Sequence, residues 1–402
     1  MKYVSLIFVA LLFSVTGCVS SRMSNTGIDA AFRDHNYAKS TELLRKGLEA
    51  EGENGRDRLL YLLDLGVSLY TNGEYKEAIT VFRQADKIAE IKDYTSLATE
   101  AATLLVSDNN KSYRAEDFEN VLINVYLSMC YAALGEVEDA AVESRRANRK
   151  LQLMKTEGKR NYKQNAYARY LSGIFFEMID EPDNAYIDYK EVLKLDPAFE
   201  MVRGDLVRLA RKLQRYDDLD RYQKLKYPEP QIKKPAEIIV LYENGMGPIK
   251  IANPEFSSIP MFRPRANTIT GAEVIIDGNP QGQTVLLDNI ENTAITNLQE
   301  QYAGLVAKKI GGAVVKTVVA DQIGKATKNE TLGFLAYILF FLADTTDTRS
   351  WLLLPQNFQI ARIPVDPGEH EVKLKFIGGG DSAPKKVKVS SHGKAFLGFR
   401  SY

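Results

Sequence analysis

Cysteine and histidine, the residues that most often build metal and nucleophilic sites, are scarce in this chain. There are 2 cysteines and 3 histidines among 402 residues. None of the histidines, His35, His370 and His392, stands at a metal-binding spacing from another histidine or from a cysteine. The sequence also lacks a Walker loop, a dinucleotide fingerprint, a nucleophile elbow and an HExxH motif. We therefore expect no cofactor, no bound metal and no enzyme of these common classes.

A surplus of charge of either sign is missing as well. The 52 basic and 52 acidic residues cancel, which removes the usual electrostatic case for nucleic-acid binding. The hydrophobic content of 45% and the charged content of 26% are typical of a chain that folds around proper cores. The length leaves room for two domains of ordinary size.

The first residues have the layout of an export signal. Lys2 supplies one positive charge, and Tyr3–Val15 is an apolar run shorter than the roughly 20 residues that cross a bilayer. Cys18 directly follows Val15-Thr16-Gly17, an order that resembles a bacterial lipobox, in which the signal is cut before an acylated cysteine. An ordinary signal peptide, or a hydrophobic start without meaning, is the alternative interpretation.

The lipobox interpretation predicts where the protein is held. We expect a signal peptide over residues 1–17 and a lipidated tether over 18–27, with palmitate and related acyl chains on Cys18 holding the protein to a membrane. Val19 and Ser20 differ from the aspartate that retains many enterobacterial lipoproteins at the inner membrane. If the source has two membranes, we expect the outer one, with the protein facing the periplasm.

The second cysteine is left without a partner if Cys18 carries lipid. Cys130 lies in the sequence VYLSMCYAALG, on what the pattern predicts to be the packed side of a helix. We predict that it is buried and serves as a small apolar residue. A lone nucleophile is the weaker alternative.

Residues 28–225 are rich in predicted helix, and their pattern recurs. Leu62-x2-Leu65-Gly66-x2-Leu69 is followed nine residues on by an alanine, and two later segments repeat this arrangement. The pattern resembles the tetratricopeptide repeat, in which pairs of antiparallel helices stack; an irregular helical bundle is the alternative. Six small residues would allow the close approach of the helices: Gly66, Ala78, Ser128, Ala140, Gly173 and Ala185.

Stacked helix pairs curve into a concave surface that usually binds peptides or proteins. The first helix of each pair sets that surface. Its candidate interaction residues are Tyr61, Asp64, Asn124, Tyr167 and Tyr170. Tyrosine and asparagine suit a peptide groove, although they also suit any half-exposed helix.

The composition changes after a Pro-rich connector at 226–235. Residues 236–402 are predicted to form a mixed domain of sheet and helix, so the fold class is α followed by α+β. Residues 294–328 form the long helix, and the apolar segment Leu332–Ala343 reads as a core helix, or else as a membrane-leaning segment or a partner interface. Seven strands are predicted, at 237–242, 273–276, 284–287, 358–363, 370–377, 385–389 and 395–400.

Two stretches of this domain are similar to an uncharacterised family of bacterial lipoproteins. They are LYENGMGPIK, at 241–250, and DTRSW followed by Leu354-Pro355, at 347–355. The resemblance implies a lipobox, tetratricopeptide-like helices and a β-rich C-terminal domain, with no established activity. Arg349 and Trp351 are its most distinctive residues, and they can serve either packing or an interaction with a partner.

The sequence thus favours a lipid-anchored envelope protein that binds or scaffolds other envelope proteins without catalysis. An accessory role in peptidoglycan synthesis or in outer-membrane assembly suits this design. The alternative is an enzyme or ligand-binding domain in the C-terminal half. That alternative requires Glu243, Arg349 and His370 to converge in one pocket.

Overall fold

The fold was analysed in a computed structural model of the chain. It describes residues 26–99, 112–156, 166–228, 234–255, 259–327, 331 and 346–402. The predicted signal peptide, Cys18, most of the tether and the apolar segment 332–343 lie outside the described residues. Within them, no helix combines the length and the apolar character that crossing a membrane requires.

The N-terminal half consists of helices that follow one another in antiparallel pairs. In chain order, α1 to α10 are Thr26–Arg33, Tyr37–Glu51, Arg58–Thr71, Tyr75–Thr99, Asp117–Leu134, Val137–Thr156, Ala166–Met178, Pro182–Leu195, Met201–Lys212 and Tyr216–Lys224. The three predicted repeats correspond to the pairs α3/α4, α5/α6 and α7/α8. The predicted fold class, tetratricopeptide-like helices followed by a mixed domain, is confirmed.

Local sequence explains where these helices begin and end. The Asn36 side chain accepts a hydrogen bond from the Lys39 amide at 3.1 Å and so caps α2. Pro182 occupies the first turn of α8, where its missing N–H costs nothing. Gly135 ends α5 in the left-handed conformation, with φ of 78°, which glycine adopts without strain.

All six small residues of the repeat pattern are buried. Two of the glycines sit directly under an aromatic ring of the neighbouring helix. A Cβ atom at Gly66 would lie 2.5 Å from the Phe82 ring, and one at Gly173 would lie 2.4 Å from the Tyr189 ring. No side chain fits in that space, so glycine is what permits the close contact.

In the C-terminal half, the described residues form ten strands and one long helix. Strands β1 to β10 are Ala236–Asn244, Ile249–Ala252, Pro260–Arg263, Gly271–Ile276, Asn279–Gln283, Val285–Asn289, Asn357–Val365, Gly368–Ile377, Lys385–Val389 and Lys394–Arg400. Helix α11, Ile290–Thr327, lies between β6 and β7. The seven predicted strands and the long helix are present, whereas β2, β3 and β5 were not predicted.

The strands form two four-stranded sheets and one hairpin. The first sheet has the order β10-β1-β7-β6, and the second has the order β5-β4-β8-β9. The β1–β10 pair is parallel, and the other pairs are antiparallel. The chain passes from the first sheet to the second at Pro367-Gly368, between β7 and β8.

The central strands of the first sheet, β1 and β7, are buried on both faces, which makes this sheet the middle of three layers. In β1, Ile238, Val240 and Tyr242 pack against the second sheet. The alternate residues Ile239 and Leu241 belong to the core that contains the helices. Since side chains in a strand alternate between faces, one strand serves two cores. The helices and the sheets therefore share a core rather than being joined by the linker alone.

Candidate functional site

The helix face that the repeats predict as a groove is occupied by the chain's own C-terminal half. An irregular segment, residues 346–356, lies on α3 and α5. Asp64 on α3 accepts a hydrogen bond from the Leu353 amide at 3.1 Å, and Glu119 on α5 accepts one from the Trp351 amide at 2.9 Å. Carboxylates that hold main-chain N–H groups are what a groove for an extended peptide would offer. Here the peptide belongs to the same molecule.

The start of α5 makes several contacts with the C-terminal half. Glu116 and Glu119 form a capping box, in which each side chain bonds to the backbone N–H of the other residue. Glu119 also accepts a hydrogen bond from the Tyr113 hydroxyl, and the Lys250 ammonium donates to Glu116 at 2.5 Å. Burial, together with the nearby Glu116, raises the pKa of Glu119. The same two residues thus begin a helix and hold the C-terminal half.

Arg349 and Trp351 connect the irregular segment to the helices. The Arg349 guanidinium donates to Asp57 at 2.8 Å and to Asp347 at 2.7 Å. Burial alone would lower the pKa of Arg349, but the bonds to Asp347 and Asp57 raise it, so the side chain stays charged. The Trp351 ring lies 5.6 Å from the ring of Tyr126 and is buried. Both distinctive residues of the DTRSW motif therefore contribute to internal packing.

Glu243, at the end of β1, forms a second connection. The Tyr126 hydroxyl donates to its Oε1 at 2.5 Å, and the Arg400 guanidinium donates to its Oε2 at 3.2 Å. All three side chains are buried. Burial raises the pKa of Tyr126, and the neighbouring Glu243 raises it further, so the tyrosine remains a hydrogen-bond donor.

A third connection surrounds Arg362 on β7. Its guanidinium donates to Asp205 at 2.9 Å and to Glu237 at 2.7 Å. Burial alone would raise the pKa of Glu237, but Arg362 and Lys394 outweigh it and lower the pKa to about 2. Tyr170 donates to Asp205 at 2.6 Å from the helix side. Arg362 and Lys394 thus keep the buried Glu237 in its charged form.

The structure divides the predicted groove residues into two groups. Asp64, Tyr167 and Tyr170 face the C-terminal half. The Tyr167 ring, for example, stacks on Phe358 at 4.3 Å. Tyr61 and Asn124 instead lie between helices, where Tyr61 packs against Gly47 of α2 and Asn124 donates to Glu143 of α6 at 2.8 Å. None of the five is exposed, so in this structure they do not form an open groove.

The alternative catalytic constellation is not assembled. Glu243 binds Tyr126 and Arg400, and Arg349 binds Asp57 and Asp347. The His370 imidazole bonds to Asp277 at 2.7 Å on the second sheet, which faces away from the helices. The three residues share no partner, and the expectation of one pocket is corrected. The described residues also contain no group of histidine, cysteine or acidic side chains suited to hold a metal ion.

Sequence reasoning missed most of the residues that join the two halves. Only Glu116-x-x-Glu119 had a local signal, because this spacing of carboxylates before an apolar run is typical of a capping box. Arg362 and Arg400 had none, since their acidic partners Asp205 and Glu243 lie 157 residues away in each case. Cys130 is free and buried, as its helical pattern predicted, and burial raises the pKa of its thiol.

Comparisons with known proteins find solved structures that match about half of this chain at low identity. No protein family description matches the sequence, and no curated protein does so. A crystal structure of MamA is 16% identical, with a TM-score of 0.35, covering 49% of this chain and 84% of that chain. A tetratricopeptide repeat protein from Parabacteroides merdae is also 16% identical, with a TM-score of 0.35, covering 50% of this chain and 62% of that chain. Function has to be argued from the residues of this chain itself.

Proposed function

We propose that the protein is a lipid-anchored component of the cell envelope that binds or scaffolds other envelope proteins and carries out no catalysis. The observation that carries this proposal is the order Val15-Thr16-Gly17-Cys18 after a short apolar run. Insertion of an acyl chain on Cys18 into a bilayer lowers the free energy by about 0.8 kcal/mol per buried CH2 group. Stable anchoring takes more than one chain.

The binding role is supported by the helical repeats and by what they leave exposed. The face toward the sheet is filled, but the second helices of two pairs carry large exposed apolar side chains. Val142 on α6 and Ile187 on α8 are 47% and 56% exposed. Each stands two residues after the packing alanine of its repeat, Ala140 or Ala185, so the two positions are equivalent. We place partner contacts on this outer side of the assembled molecule.

The anchor is tested by replacing each cysteine in turn. We expect Cys18→Ala to leave the membrane fraction, because it removes the acylated atom, and Cys130→Ala to stay in it. Membranes are sedimented after a high-salt wash and both fractions are probed for the protein. If Cys18→Ala still sediments, the proposal fails and residues 332–343 become the candidate anchor.

Which membrane holds the protein is tested by density-gradient separation of the two membranes of a host that has both. We expect the wild-type protein with the outer membrane and Val19→Asp with the inner membrane, because an aspartate after the cysteine retains many enterobacterial lipoproteins there. Recovery of the wild-type protein at the inner membrane would contradict this part of the proposal.

The partner is sought with photo-crosslinking side chains placed at Val142 and Ile187 in the lipidated protein. The control position is Lys388, which is exposed on the outer face of the second sheet. We expect the two helix positions to capture the same envelope proteins and Lys388 not to. Peptidoglycan synthases among them would indicate one accessory role, and outer-membrane assembly factors the other. Capture at Lys388 alone would move the binding surface to the sheets.

A further inference from the structure

A cavity of about 430 Å³ opens between the N-terminal helices and the last strands. Helices α2 to α4 contribute Tyr37, Tyr70 and Tyr75, and the strand side contributes Lys385, Phe399 and Arg400. A volume of this size lies within the range of about 300–1,000 Å³ that is usual for small-molecule sites, which often lie where two structural units meet. None of the preceding proposals uses this cavity.

The acidic side chains that line the cavity are already paired with cationic side chains. Glu243 binds Arg400 at 3.2 Å and accepts the Tyr126 hydroxyl. Asp381 binds the Lys373 ammonium at 3.0 Å. The cavity therefore offers a ligand no negative charge that lacks a partner.

Lys385 is different, because its charge is not balanced. Its ammonium donates to the Gly398 carbonyl at 2.6 Å and lies 5.0 Å from the centre of the Phe399 ring. No carboxylate of the described chain forms an ion pair with it. An ammonium has three donor hydrogens, so two remain for a ligand. Burial lowers the pKa of Lys385, and Glu243 is the charge that opposes this.

Two tyrosine hydroxyls add donors at the same place. Tyr70 is only 6% exposed, and neither its hydroxyl nor that of Tyr75 has a hydrogen-bond partner among the described residues. A Cβ atom at position 398 would lie 2.6 Å from the Tyr70 oxygen, so Gly398 leaves the hydroxyl its room. The hydroxyl opens onto the cavity, so it can donate to a ligand with acceptor oxygens.

We propose that this cavity binds an organic anion, a carboxylate on an apolar body of about the size of an aromatic ring. Lys385 and the hydroxyls of Tyr70 and Tyr75 hold the carboxylate, and the tyrosine and phenylalanine rings enclose the body. The carboxylate can belong to a free acid or to the end of a peptide chain. This proposal does not depend on the membrane anchor or on partner binding.

The test is calorimetric titration of the detergent-solubilised, full-length protein with three small probes. They are 3-phenylpropionate, its neutral amide and the corresponding amine, 3-phenylpropylamine. We expect the acid to bind at least about tenfold more tightly than the amide, since charge-assisted hydrogen bonds are roughly twice as strong as neutral ones, and the amine not to bind. N-acetyl-Gly-Phe distinguishes the two sources: it should bind more tightly than the acid if the natural ligand is a chain end.

Variants decide whether the named residues are responsible. Lys385→Met should weaken binding of the acid by about tenfold or more, whereas Lys386→Met, one residue on and exposed, should not. Tyr70→Phe keeps the ring and should weaken binding by roughly threefold. Circular dichroism checks that each variant folds. If Lys385→Met does not fold, the measurement on Tyr70→Phe decides the outcome. Equal affinity for acid and amide, equal effects of the two lysine variants, or no binding of any probe would each overturn the proposal.

Discussion

The two faces of the first sheet, β10-β1-β7-β6, are built from different chemistry. The face toward the second sheet has no charged side chain along β1 and β7. It is apolar where Val240 and Ile363 lie, and it carries uncharged polar residues at one end, such as Asn244 and Gln359. The face toward the helices alternates apolar residues with charged ones, namely Glu237, Glu243, Arg362 and Arg400. Both faces are buried, so burial alone does not explain the difference.

The difference shows what each interface has to specify. In the contact between the two sheets, the connections between the strands already bring the two surfaces together. The helix-to-sheet contact joins parts of the chain that meet only in the folded molecule, and apolar surfaces could slide along each other there. Buried ion pairs add little net stability, yet a pair with one member removed is costly. We infer that the charges fix the position of the sheet on the helices.

The largest effect should come from separating the two halves. We expect residues 19–226 alone to unfold well below the full chain, because the rings of Tyr126 and Tyr167 lose their contacts with the C-terminal half. Thermal unfolding followed by circular dichroism measures this, and residues 235–402 should behave likewise. Mixing the two fragments should restore stability. A fragment that melts at the temperature of the full chain would mean that the common core is not needed.

The charged face itself is tested at Arg362. Arg362→Ala removes the buried cation that bridges Asp205 and Glu237, which leaves Asp205 only Arg208 and Glu237 only Lys394. We therefore expect a loss of about 3–5 kcal/mol in the free energy of unfolding. The control is the adjacent residue on the apolar face, where Ile363→Val should cost about 0.5–1.5 kcal/mol. Denaturant unfolding of both variants gives the two values. If Ile363→Val costs as much as Arg362→Ala, the two faces do not differ as we infer.

A smaller effect is expected within the helices, where neither face of the sheet is involved. Gly173→Ala forces a methyl group against the Tyr189 ring and should cost about 1–3 kcal/mol. Gly204, inside α9, has no atom closer than 4.0 Å to the position of an added Cβ. Gly204→Ala should therefore stabilise the protein, by about 0.4–1 kcal/mol. Equal effects at the two glycines, measured by thermal unfolding, would argue against close packing at Gly173.

The smallest effect should be at the solvent side of the second sheet. The hydrogen bonds of His370 to Asp277 and to the Asp366 carbonyl raise its pKa above the ordinary value of 6.5. Because the folded-state pKa is the higher one, this contribution to stability is complete below pH 6.5 and is lost as the pH rises through the folded-state pKa. Unfolding at a series of pH values should show a small decline there that His370→Gln lacks. An identical pH dependence in both proteins would exclude this role.

The sequence alone predicted the repeats well because their determinants are local. Gly66 and Ala78 are near each other in the chain, and the spacing that relates them is imposed by helix geometry. No local sequence pattern of this kind specifies that the sheet covers the helices. One signal did exist: Glu237–Tyr242 reads EIIVLY, an apolar run without alternation, which is typical of a strand buried on both faces. Three of the five candidate groove residues, Asp64, Tyr167 and Tyr170, do face the C-terminal half, but what covers them is set by contacts between distant residues.

Because β10 pairs with β1, the first sheet becomes complete only when the strand β10 is present. Lys394 and Glu237, which pair across these strands, are 157 residues apart, and Arg400 reaches Glu243 from the far end of β10. A chain interrupted anywhere before β10 leaves Glu243 without its cation and the helices without part of their cover. Such long separations also slow folding. Incomplete chains would thus expose a different surface to proteases and chaperones than complete chains do.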